Sequence, residues 1–582
     1  MKLRFACLLA ISPLIIANVA QKPLVLPVYV ENVTERLIET ATKQQTYIYG
    51  APRLGNTSFF PSGPMGQQLV LDSLVSFEEE NAVISERTRE DIEDLMKVVD
   101  VHANFTSVDD FKQLYEGQWR RSVPDGLNVG VLTNATLDLQ FSMERLSASP
   151  FSLRRLHPTD DELPFDIDQS IVSQIAGEDL DSLHSKGQLF FVDHSVQLAL
   201  PKTTRYSAAC SAYFFIHSDS GDFLPLAIKT NTEFDLIYTP LDSQLDWTLA
   251  KIMMNSNEAI FNEAYHVAAA HAVQEIVHLA AVRTLSAAHP VLALLNRMMV
   301  GSYAPRPMGE AVLTNPGGVF DTYTSITGTG ALQAITLYYH YGAGAYQSNY
   351  FITILESRGL INCTWGPPLQ HYPFFEDTSS IYLSLQSFMK TFVESYYPAD
   401  SIITFDNELQ DWIKEGTKAA KIIDFPDSPI RNRQVLIDML THFAYLTVVH
   451  NTLNGGDPVS VSSSLPYHPA SLHAPLPLQK GVTDIMPWLP NASTSIGEIA
   501  LFAKFNRPVF ESSSFLNIFN DTKFLGASND AVRQAEQAFR DEMNALSSMI
   551  ELWVFDADGL HRGMPSIWNA LDPKKMALSS AI

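Results

Sequence analysis

Residues 264–282 read AYHVAAAHAVQEIVHLAAV and form the longest apolar stretch of the 582-residue chain. The stretch carries His266, His271, Glu275 and His278, and a helix that faces lipid does not tolerate so many polar groups. We therefore interpret it as a helix buried inside a protein. Because buried imidazole and carboxylate groups must each find a partner, this helix is a candidate functional site.

The spacing of these four residues allows two different metal sites. His266 and His271 lie five residues apart, so on a regular α-helix they point about 140° away from each other. A π-type turn brings such residues to one side and is frequent at functional sites, so this pair predicts a π-bulge. His271, Glu275 and His278 instead share one face of an undistorted helix and form a rival ligand set.

Helical periodicity continues through the second half of the chain. It predicts helices over 247–295, over 377–396 with Asp377 as the N-cap, over 407–420 and over 431–453. His450 and Asn454 come near the end of the last helix, four residues apart and on one face without distortion. This pair is a candidate second half of a metal site, since Asn is a good oxygen donor. The alternative is a buried His with a capping Asn.

The first half of the chain has a weaker pattern. Residues 21–241 show one clear amphipathic helix, at 86–99, and no run of short alternating strands of the kind that predicts a β-barrel. Neither repeats nor low-complexity tracts occur, so one large domain is the simplest organisation. We expect a mainly α-helical fold: a large single-domain helical bundle, without an N-terminal β-barrel, built around a π-bulged helix.

Composition and the N-terminus indicate an exported protein. The chain is 46% hydrophobic with a formal net charge of -25, which excludes global disorder and disfavours nucleic acid as a partner. Residues 1–20 combine Lys2 and Arg4 with a short apolar run and small residues, the pattern of a secretory signal peptide. We expect a secreted, extracellular protein with no transmembrane segment and a mature chain of 21–582. Its two cysteines, Cys210 and Cys363, permit one disulfide at most.

Seven Asn-x-Ser/Thr sequons agree with export and predict a glycoprotein. Their acceptor residues are Asn32, Asn56, Asn104, Asn134, Asn362, Asn491 and Asn520. The sequence leaves open which of them carry glycans, whether the cysteines pair, and the oligomeric state.

Two Glu-x-x-His units suggest another kind of metal chemistry. Glu263 to His266 and Glu275 to His278 have the spacing found in carboxylate-bridged di-iron bundles. Here both units lie on one helix, about 18 Å apart along its axis, so they cannot share one dimetal centre. A di-iron carboxylate oxidase is therefore kept only as an alternative, beside a secreted helical lipid-binding glycoprotein without turnover.

Several separated motifs resemble those of the lipoxygenases, most strongly over residues 240–582. The motifs are Trp247-Thr-Leu-Ala-Lys251, His266-x4-His271, Arg283-Thr-Leu-Ser-x-x-His289-Pro290, Asp406-Asn-Glu-Leu-Gln410-x-Trp412, His450-x3-Asn454 and the terminal Ile582. The resemblance implies that 21–582 forms the lipoxygenase catalytic domain. The short N-terminal part, the signal peptide and the sequons are similar to the secreted fungal members of the family.

That resemblance implies one mononuclear non-heme metal, with manganese favoured and iron as the alternative. Its ligands would be His266, His271, His450, Asn454 and the carboxylate of Ile582. It further implies a dioxygenase that acts on polyunsaturated fatty acids such as linoleic and linolenic acid. A metal-bound hydroxide, rather than a side chain, would remove hydrogen, and O2 would trap the carbon radical to give a hydroperoxide.

Three more residues receive substrate roles. Gly309 lies twenty residues after His289, where the family has Ala or Gly beside the oxygenation pocket and where Gly accompanies R-type products. Arg507 matches an Arg that tethers the fatty-acid carboxylate in the secreted group, and Phe320 is a candidate pocket-lining aromatic. The ordinary alternatives are backbone freedom for Gly309 and a surface position for Arg507. Regiochemistry, stereochemistry and the preferred fatty acid stay open.

Overall fold

The computed structural model describes residues 23–50, 60–102, 104–115, 119–122, 136–455, 464–505 and 510–580. For Asn454 and Gly455 it describes the backbone alone. The predicted signal peptide and four of the residues singled out above lie outside the described residues: Asn56, Asn134, Arg507 and Ile582.

Helices dominate the described chain, as the periodicity predicts, and they pack around one large apolar core. The α-helices, numbered in chain order, are α1 Thr34–Thr46, α2 Gly63–Leu95, α3 Asp138–Met143, α4 Gln169–Ala176, α5 Leu180–Ser185, α6 Gln244–His266, α7 Val273–Thr284, α8 Pro290–Met298, α9 Pro305–Val312, α10 Val319–Tyr323, α11 Gly328–Tyr338, α12 Phe351–Ser357, α13 Pro373–Tyr396, α14 Asp400–Phe405, α15 Asn407–Lys418, α16 Arg433–Tyr445, α17 Asn451–Gly455, α18 Ala492–Ala503, α19 Thr522–Ala527 and α20 Asp530–Ile550.

Shorter helical turns of two other kinds link these helices. The 3-10 turns are Pro27–Tyr29, Val108–Leu114, Glu144–Leu146, Ser195–Ala199, Gln347–Asn349, Met486–Trp488, Glu511–Ser513 and Phe515–Asn517. The π turns are Val267–Ala272, Tyr339–Ala343 and Leu446–His450.

The first half of the chain also contains strands that the sequence pattern did not predict. A short pair, β1 Ile48–Tyr49 and β2 Pro61–Ser62, precedes an antiparallel meander of five strands in chain order. The meander strands are β3 Arg154–Arg155, β4 Leu189–Asp193, β5 Ser211–Ile216, β6 Phe223–Lys229 and β7 Ile237–Tyr238. Residues of β5 are buried on both faces, because the sheet lies between the main core and a smaller one beneath α4 and α5. Without an exposed face a strand shows no polar alternation.

Three predicted helix boundaries are wrong. The amphipathic helix predicted over 86–99 is the last part of α2, which begins at Gly63 and ends at Leu95. The helix predicted over 247–295 ends at Thr284 and resumes at Pro290, where His289 acts as the N-cap by accepting a hydrogen bond from the backbone N–H of Val291. Asp377 is not an N-cap, because α13 begins four residues earlier. Its carboxylate instead binds the guanidinium of Arg562. Burial raises the pKa of Asp377 to about 6 even though Arg562 opposes the shift.

The motifs on either side of the ligand helix fix its position through buried polar contacts. Trp247 and Lys251, one turn apart on α6, both donate to the Asp138 carboxylate, over 2.7 and 2.8 Å. Asp406 caps α15 and also accepts hydrogen bonds from His289, over 3.0 Å, and from the Tyr397 hydroxyl, over 2.7 Å. The Asp138 contacts tie α6 to α3, and the Asp406 contacts tie α8, α13 and α15 together, so much of the recognisable sequence is scaffold for the site.

Two further expectations concern cysteines and membranes. Cys210 is buried and Cys363 is half-buried, and both are free thiols in the structure. Within the described ranges, none of the helices combines the length and the apolar character needed to cross a bilayer.

Candidate metal centre and adjoining cavity

The predicted π-bulge is present in the ligand helix. Regular α6 ends at His266, a π turn covers Val267–Ala272, and α7 continues from Val273. The wider turn brings the two imidazoles to one side, with their Nε2 atoms 2.8 Å apart. Both side chains are buried. Two imidazole nitrogens directed at one point inside a core can share a proton or a cation.

His450 supplies a third imidazole from a different helix. Its ring centroid lies 6.0 Å from that of His266, with the rings close to parallel. The His450 ring is supported by Phe151, whose ring stacks on it with the centroids 4.2 Å apart and an interplanar angle of 11°. His450 also ends a second π turn, Leu446–His450, so the undistorted helix predicted before Asn454 is wrong at this point. Sequence spacing gave no signal for Phe151, which is about 300 residues away along the chain.

The electrostatics of these histidines suit a cation. Burial holds the pKa of His266 well below its usual range, and nearby His271 lowers it further. Burial also lowers the pKa of His450 to about 3. Both imidazoles are therefore neutral at pH 7, the form that coordinates metals. Among the described residues neither ring nitrogen of His450 has a hydrogen-bond partner, which is costly in a core unless another group binds there.

The three histidines do not complete a site by themselves. Across the described part of the chain, no group of three or more His, Cys, Asp or Glu side chains is arranged to hold a metal ion. The two oxygen donors implied by the family resemblance are Asn454, described only as backbone in α17, and Ile582, which lies outside the described residues. The visible donor set is three buried imidazoles, of which those of His266 and His450 are neutral, and it fits a divalent metal.

The rival ligand set of His271, Glu275 and His278 does not come together. His278 binds the Tyr303 hydroxyl through Nδ1 at 2.7 Å and the Asn296 amide oxygen through Nε2 at 2.8 Å. Both of its ring nitrogens are thus occupied. The carboxylate of Glu275 receives the guanidinium of Arg306 at 3.1 Å. The same contacts leave no second Glu-x-x-His half-site for a di-iron centre.

Gln274 is a residue near the centre that sequence reasoning missed. Its buried side-chain oxygen accepts hydrogen bonds from Ser580 Oγ, over 2.6 Å, and from Thr447 Oγ1, over 3.2 Å. Ser580 also donates to the backbone oxygen of Thr447 over 3.3 Å. Gln274 therefore joins the two histidine helices to the C-terminal segment, two residues before Ile582.

A cavity of about 510 Å³ adjoins His266 and His271. This volume is within the usual range for small-molecule sites, and most of the lining is apolar. Gly309 and Phe320 both line it, and Phe505 contributes a further aromatic ring. Gly309 is part of α9 rather than a loop. A Cβ built on Gly309 would lie 3.7 Å from Leu313 Cδ1, an ordinary contact, so backbone geometry does not require glycine here.

Comparisons with known proteins agree with this architecture. The lipoxygenase family profile matches residues 166–488, more than half of the chain. Manganese lipoxygenase of Fusarium oxysporum (strain Fo5176) is 45% identical over 547 residues, which are 93% of this chain and 90% of that protein. Manganese lipoxygenase of Colletotrichum gloeosporioides (strain Cg-14) is 43% identical over 544 residues, 93% of this chain and 89% of that protein.

A solved structure of a manganese lipoxygenase superposes with a TM-score of 0.93 at 40% identity, covering 96% of this chain and 100% of that one. The fold and the histidine centre therefore define a non-heme metal dioxygenase. The chain belongs to the lipoxygenase family. This excludes the binding protein without turnover and the di-iron oxidase as its class.

Proposed function

We propose that this lipoxygenase converts polyunsaturated C18 fatty acids such as linoleic and linolenic acid to hydroperoxides at a single manganese ion. The observation that carries the proposal is the apolar cavity of about 510 Å³ whose wall includes His266 and His271. The names of the similar fungal proteins favour manganese. Iron has the same donor preferences for imidazole and carboxylate, so it is the alternative for metal analysis to exclude.

The metal would be held by His266, His271 and His450, with Asn454 and the Ile582 carboxylate as the proposed oxygen donors. When bound, it would supply the one-electron redox chemistry that hydrogen removal from a bis-allylic carbon requires. The protein's own contribution is to keep the imidazoles of His266 and His450 neutral and to fix all three rings. Phe151 holds the His450 ring in one plane, and the apolar wall excludes water from the reacting carbon.

The cavity also has a polar end that suits a fatty-acid carboxylate. Arg306 and Lys504 are the Arg and Lys side chains among its described lining residues. Arg306 is occupied by Glu275 and lies over the Phe60 ring at 4.4 Å, which leaves Lys504, an exposed residue, to attract an anion. Arg507 follows three residues later, so we assign the carboxylate to this segment, with Arg507 as the tether.

Turnover and metal content test the proposal together. Purified protein given linoleic acid should produce conjugated-diene absorbance with O2 uptake, and elemental analysis should find close to one manganese per chain. His271→Ala and His450→Ala should lose both properties. His442→Phe is the matched control. His442 lies two turns before His450 in the same continuous helical segment, is equally buried and does not line the cavity. Diene formation by a metal-free His450→Ala protein would refute the assignment.

We further propose that the protein is secreted and glycosylated. Five of the seven sequon acceptors are described and all five are exposed: Asn32, Asn104, Asn362, Asn491 and Asn520. Asn491 is the N-cap of α18 and Asn362 donates to Glu356 over 2.7 Å, so glycans there would compete with local contacts. Expression with the native N-terminus should yield culture-medium protein that starts near residue 21 and shrinks on deglycosylation. Protein retained in cells with Met1 intact would contradict this.

A further inference from the structure

A second, smaller chamber lies next to the substrate cavity. Its volume is about 90 Å³, and it shares part of its wall with the larger cavity. The shared wall residues are Glu263, Leu313, Phe320, Leu501 and Phe505. Glu263 lies one helical turn before His266, so the shared wall is close to the metal centre. A liquid water molecule takes about 30 Å³, which makes this chamber large enough for a small polar group and too small for a fatty-acid chain.

Part of the chamber wall is a network of buried charged side chains in which each carboxylate is already paired. Glu144 binds His468 Nε2 and Arg145, each over 3.1 Å. Burial opposes its ionisation, but His468 and Arg145 outweigh burial and lower the pKa of Glu144. Glu258 accepts from His194 Nε2 over 2.9 Å. Its pKa falls to about 2 despite burial, because of His194 and Arg145. Both carboxylates are therefore ionised, and their acceptor positions are in use.

The same wall carries polar atoms that have no partner within the described residues. They are Glu498 Oε1 and His468 Nδ1, which lack a hydrogen-bond partner there, and both side chains are at least nine-tenths buried. The other carboxyl oxygen of Glu498 accepts the backbone N–H of Ala470 over 3.2 Å. Burial raises the pKa of Glu498 to about 8. At pH 7 its carboxyl group is protonated and can donate a hydrogen bond as well as accept one.

The charges around the chamber select the ligand. Glu144 and Glu258 are anionic and already paired, with Arg145 and His468 in the described lining and with His194 behind it, so that lining has no cation left to balance a carboxylate ligand. A neutral group that donates one hydrogen bond and accepts others matches the unpartnered atoms. Hydroxyl and hydroperoxyl groups have this property, and a hydroperoxide is the product of the proposed reaction.

We propose that the side chamber binds the hydroxyl or hydroperoxyl group of an oxygenated fatty acid whose chain lies in the main cavity. Glu498 donates to the ligand oxygen, and His468 Nδ1 completes the contact. The site would hold the product after oxygenation and admit hydroxylated fatty acids as ligands. This inference rests on the proposed function for the identity of the chain in the main cavity.

Saturated ligands test the chamber without turnover. The probes are octadecanoic acid and its monohydroxylated derivatives, with the hydroxyl at one position from C9 to C13. None of them contains a pentadiene. Binding constants are measured by calorimetry for wild type, Glu498→Leu, Glu498→Gln and Glu536→Leu. Glu536 is the control, because it is a buried glutamate, paired with Arg540 on its own helix, and lines neither cavity.

At least one hydroxylated isomer should bind wild type more tightly than octadecanoic acid does. Glu498→Leu should reduce that preference about three- to tenfold, the effect of one buried hydrogen bond. Glu498→Gln, which keeps a donor and an acceptor, and Glu536→Leu should retain it. The ratio of two affinities in one variant cancels any general loss of folded protein.

Equal loss for both ligands in Glu498→Leu, or no preference in wild type, overturns the proposal and leaves a chamber that holds water only. Linoleate turnover is assayed separately on wild type. Its absence would refute the proposed function, whereas turnover without hydroxyl preference would refute the side chamber alone.

Discussion

Gln274 offers the sharpest test of how the C-terminal segment reaches the metal centre. Its side-chain oxygen is the shared acceptor for Ser580 on the tail and Thr447 on the second histidine helix. Gln274→Leu keeps a side chain of similar volume and removes this acceptor. We predict that the variant folds, because both hydroxyls retain a backbone acceptor: Thr447 donates to Phe443 O over 2.8 Å and Ser580 to Thr447 O over 3.3 Å.

The expected magnitude follows from the bonds lost. Of the two hydroxyl-to-amide hydrogen bonds that disappear, the one from Ser580 joins the C-terminal segment to Gln274, and its net contribution is about 1 kcal/mol, so docking of that segment weakens by about 1 kcal/mol. If the Ile582 carboxylate binds metal only from the docked segment, this loss appears in the metal affinity. At about 1.4 kcal/mol per tenfold, the affinity falls by about fivefold.

Metal retention is the assay. Wild type and variant are dialysed against graded concentrations of a chelator, and manganese per chain is measured by elemental analysis beside the thermal midpoint. Gln197→Leu is the matched control: Gln197 is fully buried and exchanges two hydrogen bonds with Asn257, over 2.8 and 2.9 Å, away from the centre. It should lower thermal stability without changing metal affinity. Ser580→Ala should couple to Gln274→Leu by about 0.5–1.5 kcal/mol.

One result would refute the reasoning. If Gln274→Leu loses thermal stability as Gln197→Leu does but keeps its metal at wild-type chelator concentrations, the bridge is a packing contact. The C-terminal segment would then hold its place through other groups, and the coupling between Gln274 and the tail would be absent.

Three further changes test the scaffold and the pocket. Arg36→Ala removes a buried partner of Glu408, held at 2.6 Å between α1 and α15; denaturant unfolding should show a loss of about 3–5 kcal/mol, and a loss below about 1 kcal/mol would contradict a buried pair. Burial lowers the pKa of His442 to about 3, so the folded protein resists its protonation and stability falls as pH drops below about 6.5. The free energy of unfolding of His442→Phe, relative to that of wild type, should therefore be about 2 kcal/mol higher at pH 5 than at pH 8. A difference that does not depend on pH would contradict this prediction. Gly309→Ala should stabilise α9 by about 0.5–1 kcal/mol and shift chiral products toward S, whereas unchanged chirality in the product analysis would remove Gly309 from stereocontrol.

The fold class could be read from the sequence because helical periodicity is a local property. Polar residues at five-residue spacing in an apolar helix require a π turn if they are to meet, and the structure has that turn at Val267–Ala272. The meander over β3 to β7 was not predicted, since strands of two to seven residues buried on both faces carry no alternating pattern. The prediction that Asp377 is an N-cap was wrong, because its carboxylate binds Arg562, which is far away along the chain.

By itself the sequence determined which residues could bind a metal and which of them share a helix, because spacing along one helix sets their relative direction. It also carried the family motifs that lead to a lipoxygenase. Only the tertiary structure showed that Phe151 supports His450 and that a polar chamber lies beside the main cavity. It also showed that both ring nitrogens of His278 form hydrogen bonds, with Tyr303 and Asn296. Those relations join segments up to hundreds of residues apart, and only packing of the whole core brings such segments into contact.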